Sequence, residues 1–124
     1  MEPSYKIWAD PAKNRLYIVL KGAIPDEMAK AAADQAIEEA KKLGAGFFVI
    51  NDISEMQPGS PKGAAEIRRA QAFLGYHGVR RIIRIVKAAG QAVNKQFEST
   101  PPGYPAVNTA SSIAEAEAIL DKPV

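Results

Sequence analysis

The chain contains no cysteine and a single histidine, His77. The first absence excludes disulfides, thiolate-held metal ions, iron–sulfur clusters and cysteine nucleophiles together. The second leaves the common zinc sites without ligands and makes most nucleophile–base pairs hard to assemble, so no metal, no cofactor and no catalytic residue is expected. Apolar runs such as Phe47-Phe48-Val49-Ile50 fall far short of the ~20 residues of a membrane-spanning helix. Nor is there an excess of one charge: 16 Lys and Arg face 14 Asp and Glu, a net +2, too small to make nucleic acid an expected partner. Met1 to Lys6 lacks the basic start and apolar stretch of a secretory signal, which with the missing cysteine gives the expectation of a cytoplasmic protein.

What is present is enough for one domain. A chain of 124 residues can bury a core without staples, and no linker, repeat or low-complexity stretch divides it, so residues 1–124 are expected to form a single domain. Tyr5 to Ala9 and Leu16 to Leu20 are apolar-rich runs on either side of the turn-forming Asp10-Pro11-Ala12-Lys13-Asn14, which predicts a hairpin. The period then changes. Pro25, Asp26 and Glu27 suit a helix start, Met28, Ala32, Ala36, Ala40 and Leu43 recur at helical spacing, and Lys41, Lys42 and Gly44 mark the end.

Phe47 to Ile50 reads as a strand buried on both faces, followed by a polar loop from Asn51 to Gly59. Ser60-Pro61 opens a second helix with Ala64, Ile67, Ala70 and Leu74 inward, a Glu66–Arg69 pair outside, and Gly75 and Gly78 near its end. Arg80 to Val86 is β-branched and strand-like. Ala89, Val93 and Phe97 predict a short third helix, and Tyr104 to Asn108 a brief strand. Ser112 and Glu115 predict a capping box opening a last helix through Ile113, Ala116 and Leu120. The order β-β-α-β-α-β-α-β-α implies an α/β domain with a mixed, mostly parallel sheet and right-handed crossovers.

This order is where a family resemblance emerges. The opening hairpin, the segment Phe47-Phe48-Val49-Ile50-Asn51-Asp52-Ile53-Ser54 and the closing stretch Val107 to Leu120 resemble the STAS domain, the fold of bacterial anti-sigma-factor antagonists of the SpoIIAA-like group. The resemblance covers about Tyr5 to Leu120. In that family the third strand ends in an Asp-x-Ser-like segment and the last helix opens with a Ser or Thr cap followed by Glu and Ala; both features occur here. It implies a single layered domain that binds a regulatory protein partner. Antagonists regulated by partner switching also carry an Asp-Ser/Thr-Gly-type segment at the second helix, where a kinase phosphorylates the hydroxyl. Here that stretch is Glu55-Met56-Gln57-Pro58-Gly59-Ser60-Pro61-Lys62-Gly63, in which a proline and a glycine interrupt the motif. The resemblance therefore points to the divergent SpoIIAA-like group.

The candidate site residues follow from chemistry and placement. Ser60 at a helix start is a cap, or else a phosphorylation or anion site favoured by the helix dipole, and Ser54 carries the same pair of readings. Ligands of open α/β sheets gather at the carboxyl ends of the strands. That rim is expected to collect Asn51, Asp52, Lys62, Lys87 and Gln91, with Asp52 and Lys87 pairing across adjacent loops as the simpler role. His77 belongs to the opposite rim, where a Ser-His-Asp set cannot form. Arg68, Arg69, Arg80, Arg81, Arg84, Lys87 and Lys95 lie in a stretch with no Asp or Glu. Periodicity spreads them over several faces, and helices confined to one side of the sheet would leave Arg80 and Arg84 on a bare face. Gly44-Ala45-Gly46 follows a helix, the reverse of a dinucleotide-binding context, and Gly59 to Gly63 lacks P-loop spacing.

The sequence thus predicts a non-catalytic, STAS-like interaction module acting through the loop and helix start at Asp52 to Lys62. The alternative is a carrier of a small apolar or lipid-like ligand in a pocket between sheet and helices, lined by Phe47, Phe73 or Leu74-type side chains. The edge strand Tyr5 to Ala9 also offers itself for pairing in a homodimer.

Overall fold

The computed structural model describes residues 2–87, 97 and 104–122. Within them lie β1 (Ser4–Asp10), β2 (Arg15–Gly22), α1 (Asp26–Ala40), β3 (Phe48–Met56), α2 (Pro61–Tyr76), β4 (Arg81–Ile85), β5 (Val107–Ala110) and α3 (Ile113–Asp121). The strands form one sheet in the order β1-β2-β3-β4-β5. β1 pairs antiparallel with β2, as a short turn requires, and every later pair is parallel. The mixed sheet and the order of the elements among the described residues are those predicted. The third predicted helix, Ala89 to Phe97, lies outside the described residues except for Phe97, which is helical and buried.

Strand alternation divides the interior into two layers. Leu16, Ile18 and Leu20 of β2, Val49 and Ile53 of β3 and Ile82 of β4 face one way, against Ala32, Ala36 and Ala40 of α1 and Leu74 of α2. Tyr17, Ile50, Ile83 and Ile85 face the other way, against Ala110 and Ala116. We call these the front and back faces.

The prediction of a bare sheet face is corrected here. Arg84 is 4% exposed and lies in the front layer, and the back is covered by α3. Successive right-handed crossovers place α1 and α2 on the front. Helix α3, however, follows β5 and lies between no two strands of the sheet among the described residues, so no crossover rule places it and it folds onto the apolar back. Arg80 does remain exposed.

A second correction concerns Asn51 to Gly59. Strand β3 continues to Met56, and Asn51 and Asp52 pair with Ile18 and Val19 of β2 and with Arg84 and Ile85 of β4. A strand with parallel neighbours on both sides satisfies its backbone at each position, and this outweighs the turn preference of Asn and Asp. Buried Ile53, fully inaccessible, anchors the extension.

The helix ends follow local chemistry. Gly78 closes α2 with φ +96, its N–H donating to Gly75 O at 3.2 Å; a Cβ there would lie 3.1 Å from the Ala45 Cβ, so a side chain meets both backbone strain and crowding. At α3, Ser112 Oγ accepts from Glu115 N at 3.1 Å as predicted. The reciprocal contact is shifted by one residue, since the Glu115 carboxylate accepts from Ser111 N and Oγ instead of from the cap residue's own N–H.

Candidate functional site

The carboxyl ends of the parallel strands form one rim, and two helix starts rise from it. Gln57 N donates to Gly22 O at 3.0 Å, holding the ends of β2 and β3 side by side. Ser60 is the N-cap of α2: its Oγ accepts from Gly63 N at 3.1 Å. The same hydroxyl donates its proton to Asp26 Oδ1 in the first turn of α1. Asp26 belongs to the site although the sequence suggested only a dipole role for it. Farther along, Arg69 of α2 donates to Asp34 of α1 at 2.7 Å and to Glu66 at 2.7 Å. These hydrogen bonds from Arg69 hold the Asp34 carboxyl below its usual range.

Ser54 and Asp52 share a second such contact. Asp52 Oδ1 accepts from Ser54 N at 3.0 Å and from Ser54 Oγ at 2.6 Å. The contact sits where the β2–β3 register slips, between Val19 and Lys21 on the β2 side. A bulge leaves backbone groups without ladder partners, and a short acidic side chain two residues upstream supplies one. Among the described residues no ion pair joins Asp52 to Lys87. Lys62 and Lys87 are exposed on this rim, whereas Gln91 lies outside the described residues. Asn51 is corrected from rim to interior: it is 7% exposed and faces the front layer.

His77 lies at the other end of α2, as expected. Its Nε2 is 2.8 Å from Leu43 O, and its ring stacks on Phe73 with centroids 5.5 Å apart. Its neighbours also include Phe47 at the entrance to β3. The serines at the carboxyl-end rim are thus served by carboxylates and helix N–H groups and not by the imidazole.

The sequence's alternative reading places a pocket between sheet and helices lined by Phe47, Phe73 or Leu74-type side chains; a cavity does lie there and Leu74 lines it, but Phe47 and Phe73 do not, and its polar lining is not foreseen. Between α1, α2 and the sheet lies a partly open cavity of about 80 Å³, mostly apolar but lined also by Asn51, Gln71, Arg84 and Tyr104. Asn51 and Arg84 are direct neighbours across β3 and β4. Arg84 Nη2 donates to Phe97 O at 2.9 Å, and Gln71 Nε2 donates to the same oxygen at 3.3 Å. The Arg84 guanidinium lies 5.3 Å from the centroid of the Phe97 ring. Burial pushes the Tyr104 phenol up, with Arg84 acting in the opposite direction. Two acceptors face this space without a partner, Asn51 Oδ1 and Gln71 Oε1. A buried oxygen left unpaired costs about 1–3 kcal/mol. For the polar lining the sequence signal was the arginine inside an apolar strand, which periodicity assigned to a bare face.

No family model matches the chain, and no curated protein does either. Among solved structures it is similar to the anti-sigma factor antagonist SpoIIAA in its unphosphorylated form, with a TM-score of 0.57 over 94% of each chain and 16% identity. At that identity the likeness is one of fold. The hairpin, the parallel strands that follow it and the closing helix therefore make up a STAS-like fold, shared with the antagonist through topology far more than through side chains.

Proposed function

We propose that this chain is a non-catalytic regulatory module that binds a protein partner at the carboxyl-end rim, through Asp26, Ser60 and Lys62 and the neighbouring Asp52, Ser54 and Lys87. Three considerations support the reading. The fold is that of an anti-sigma factor antagonist. Ser60 couples the starts of two helices at an accessible position, and the chain's one imidazole is engaged at the far end of α2. The Ser60 contact carries the proposal furthest. A phosphate on Ser60 would remove the donor to Asp26 and set a dianion against that carboxylate, while the α2 dipole would favour it. Modification there would thus part the two helix starts and not simply add charge. Ser54 has the same pattern with Asp52 but is part-buried within a strand. With no cysteine to oxidise, the module suits a reducing compartment such as the cytoplasm.

The test compares the wild-type chain with Ser60→Ala, Ser60→Asp and Lys62→Glu in quantitative pull-downs from cells that express it, with circular dichroism to confirm folding. Ser60→Asp keeps a capping oxygen but opposes Asp26, so partner recovery is expected to fall at least about fivefold, with Lys62→Glu acting in the same direction. Ser60→Ala should retain most binding. Equal recovery by all four proteins removes the rim from the interface.

A further inference from the structure

The interior cavity has features that the rim reading does not use. Its floor is the Asn51–Arg84 neighbour pair, its roof is Gln71 of α2, and its walls are aliphatic side chains such as Ile18, Ile67 and Leu74. Asn51 and Gln71 are 7% and 5% exposed, each with an amide oxygen that no described group reaches. Toward the starts of α1 and α2 the lining continues through Ala29 and Gly63. A Cβ built on Gly63 would lie 3.7 Å from Ser60 Oγ and 4.0 Å from the Ala29 Cβ, so this glycine keeps the end beside Ser60 open.

We propose that this cavity is a binding site for a small neutral amphiphile, a short aliphatic body bearing a hydroxyl or carboxamide that donates to Asn51 Oδ1 and Gln71 Oε1. Charge and size narrow the class. A carboxylate has no proton to give either acceptor oxygen, and the nearby Arg84 guanidinium repels an ammonium, whereas a neutral N–H or O–H donor satisfies both acceptors. Apolar walls with a few convergent polar groups are the usual composition of a ligand pocket. At about 80 Å³ the enclosed part is smaller than the roughly 150 Å³ that admits benzene, so the site takes a short chain and not a lipid.

Propionamide and butanone, each of five heavy atoms, share a short body and a carbonyl and differ only in the N–H donor, which makes them a matched neutral pair of probes. Each is titrated into the ¹⁵N-labelled full chain with no protein partner present, while the side-chain amide signals of Asn51 and Gln71 are followed. Propionamide is expected to shift both saturably, with Kd about 1 mM, and butanone, which lacks the donor, to bind at least about tenfold more weakly. Asn51→Leu, which keeps the shape and removes the acceptor, should weaken propionamide at least about tenfold; Gln71→Met gives the same reading from the opposite wall. Equal binding of the two probes, undiminished binding by both variants, or the absence of saturable shifts with long-lived water contacts at Asn51 would overturn the proposal. None of these outcomes depends on the rim.

Discussion

The two faces of the sheet are built from alternate residues of the same strands, yet they solve different problems. The back is covered by a nine-residue helix, α3, and carries its polar groups at its margins. Arg15 Nη2 pairs with Asp121, and Tyr17 OH donates to Glu117 at 2.9 Å. Trp8 stacks on Tyr17 with ring centroids 4.7 Å apart and planes 1° from parallel. The front is covered by two longer helices clamped to each other by Arg69, and it holds Asn51, Gln71 and Arg84 in its middle around a cavity. The comparison separates two uses of polarity. On the back, polar contacts tie down a short helix whose Ile113, Ala116, Ile119 and Leu120 pack on the sheet. On the front, two acceptors, Asn51 Oδ1 and Gln71 Oε1, are left unpaired beside the cavity.

The largest expected effect comes from core truncation. Ile83→Ala on the closed back should lower unfolding free energy by about 3 kcal/mol, and Leu74→Ala, whose side chain already borders a void, by about 2. Urea denaturation measures both, and a front loss larger than the back loss would break the contrast.

Next come two substitutions that should act with opposite signs. Tyr17→Phe removes a satisfied hydroxyl and should cost about 1 kcal/mol, whereas Asn51→Leu removes an unsatisfied amide and should add about 1 kcal/mol to the ligand-free protein. Thermal unfolding of the two variants beside wild type reads both. A destabilised Asn51→Leu would mean that the amide is satisfied in solution.

Acid sensitivity is the smallest effect and tests the clamps on both faces. Hydrogen bonds from Arg69 and from Arg15 hold the Asp34 and Asp121 carboxyls below their ordinary value of 3.8. Groups lowered on folding contribute stability that is present above the unfolded value and lost as pH falls through the folded one. Stability should therefore decline below about pH 4, and Asp121→Asn should make that decline shallower while lowering the plateau, because buried Arg15 loses its carboxylate. Urea titrations between pH 2 and 7 measure the slope; an unchanged acid limb in Asp121→Asn would show that the back-face tie contributes nothing.

Much of the fold could be read in advance because its signals are local. Pro25 and Ser60 mark helix starts, Gly78 ends α2, and the alternation of Leu16, Ile18 and Leu20 announces one buried face. The Ser60 cap is also a short-range matter, since its acceptor role reaches only three residues along the chain. Its second partner, Asp26, is 34 residues away and gives no local sign. Asn51 was misplaced for a similar reason: its turn preference is intrinsic, but the neighbours that hold it extended are Ile18 and Arg84, on other strands.

Composition and period alone thus determined the order of the described elements, the lack of thiol chemistry and the separation of His77 from the serines. Tertiary structure decided which face α3 would cover and which polar side chains would meet inside. Periodicity senses a turn or two of chain, whereas the return of a terminal helix and the convergence of Asn51, Gln71 and Arg84 depend on which distant surfaces are left to bury.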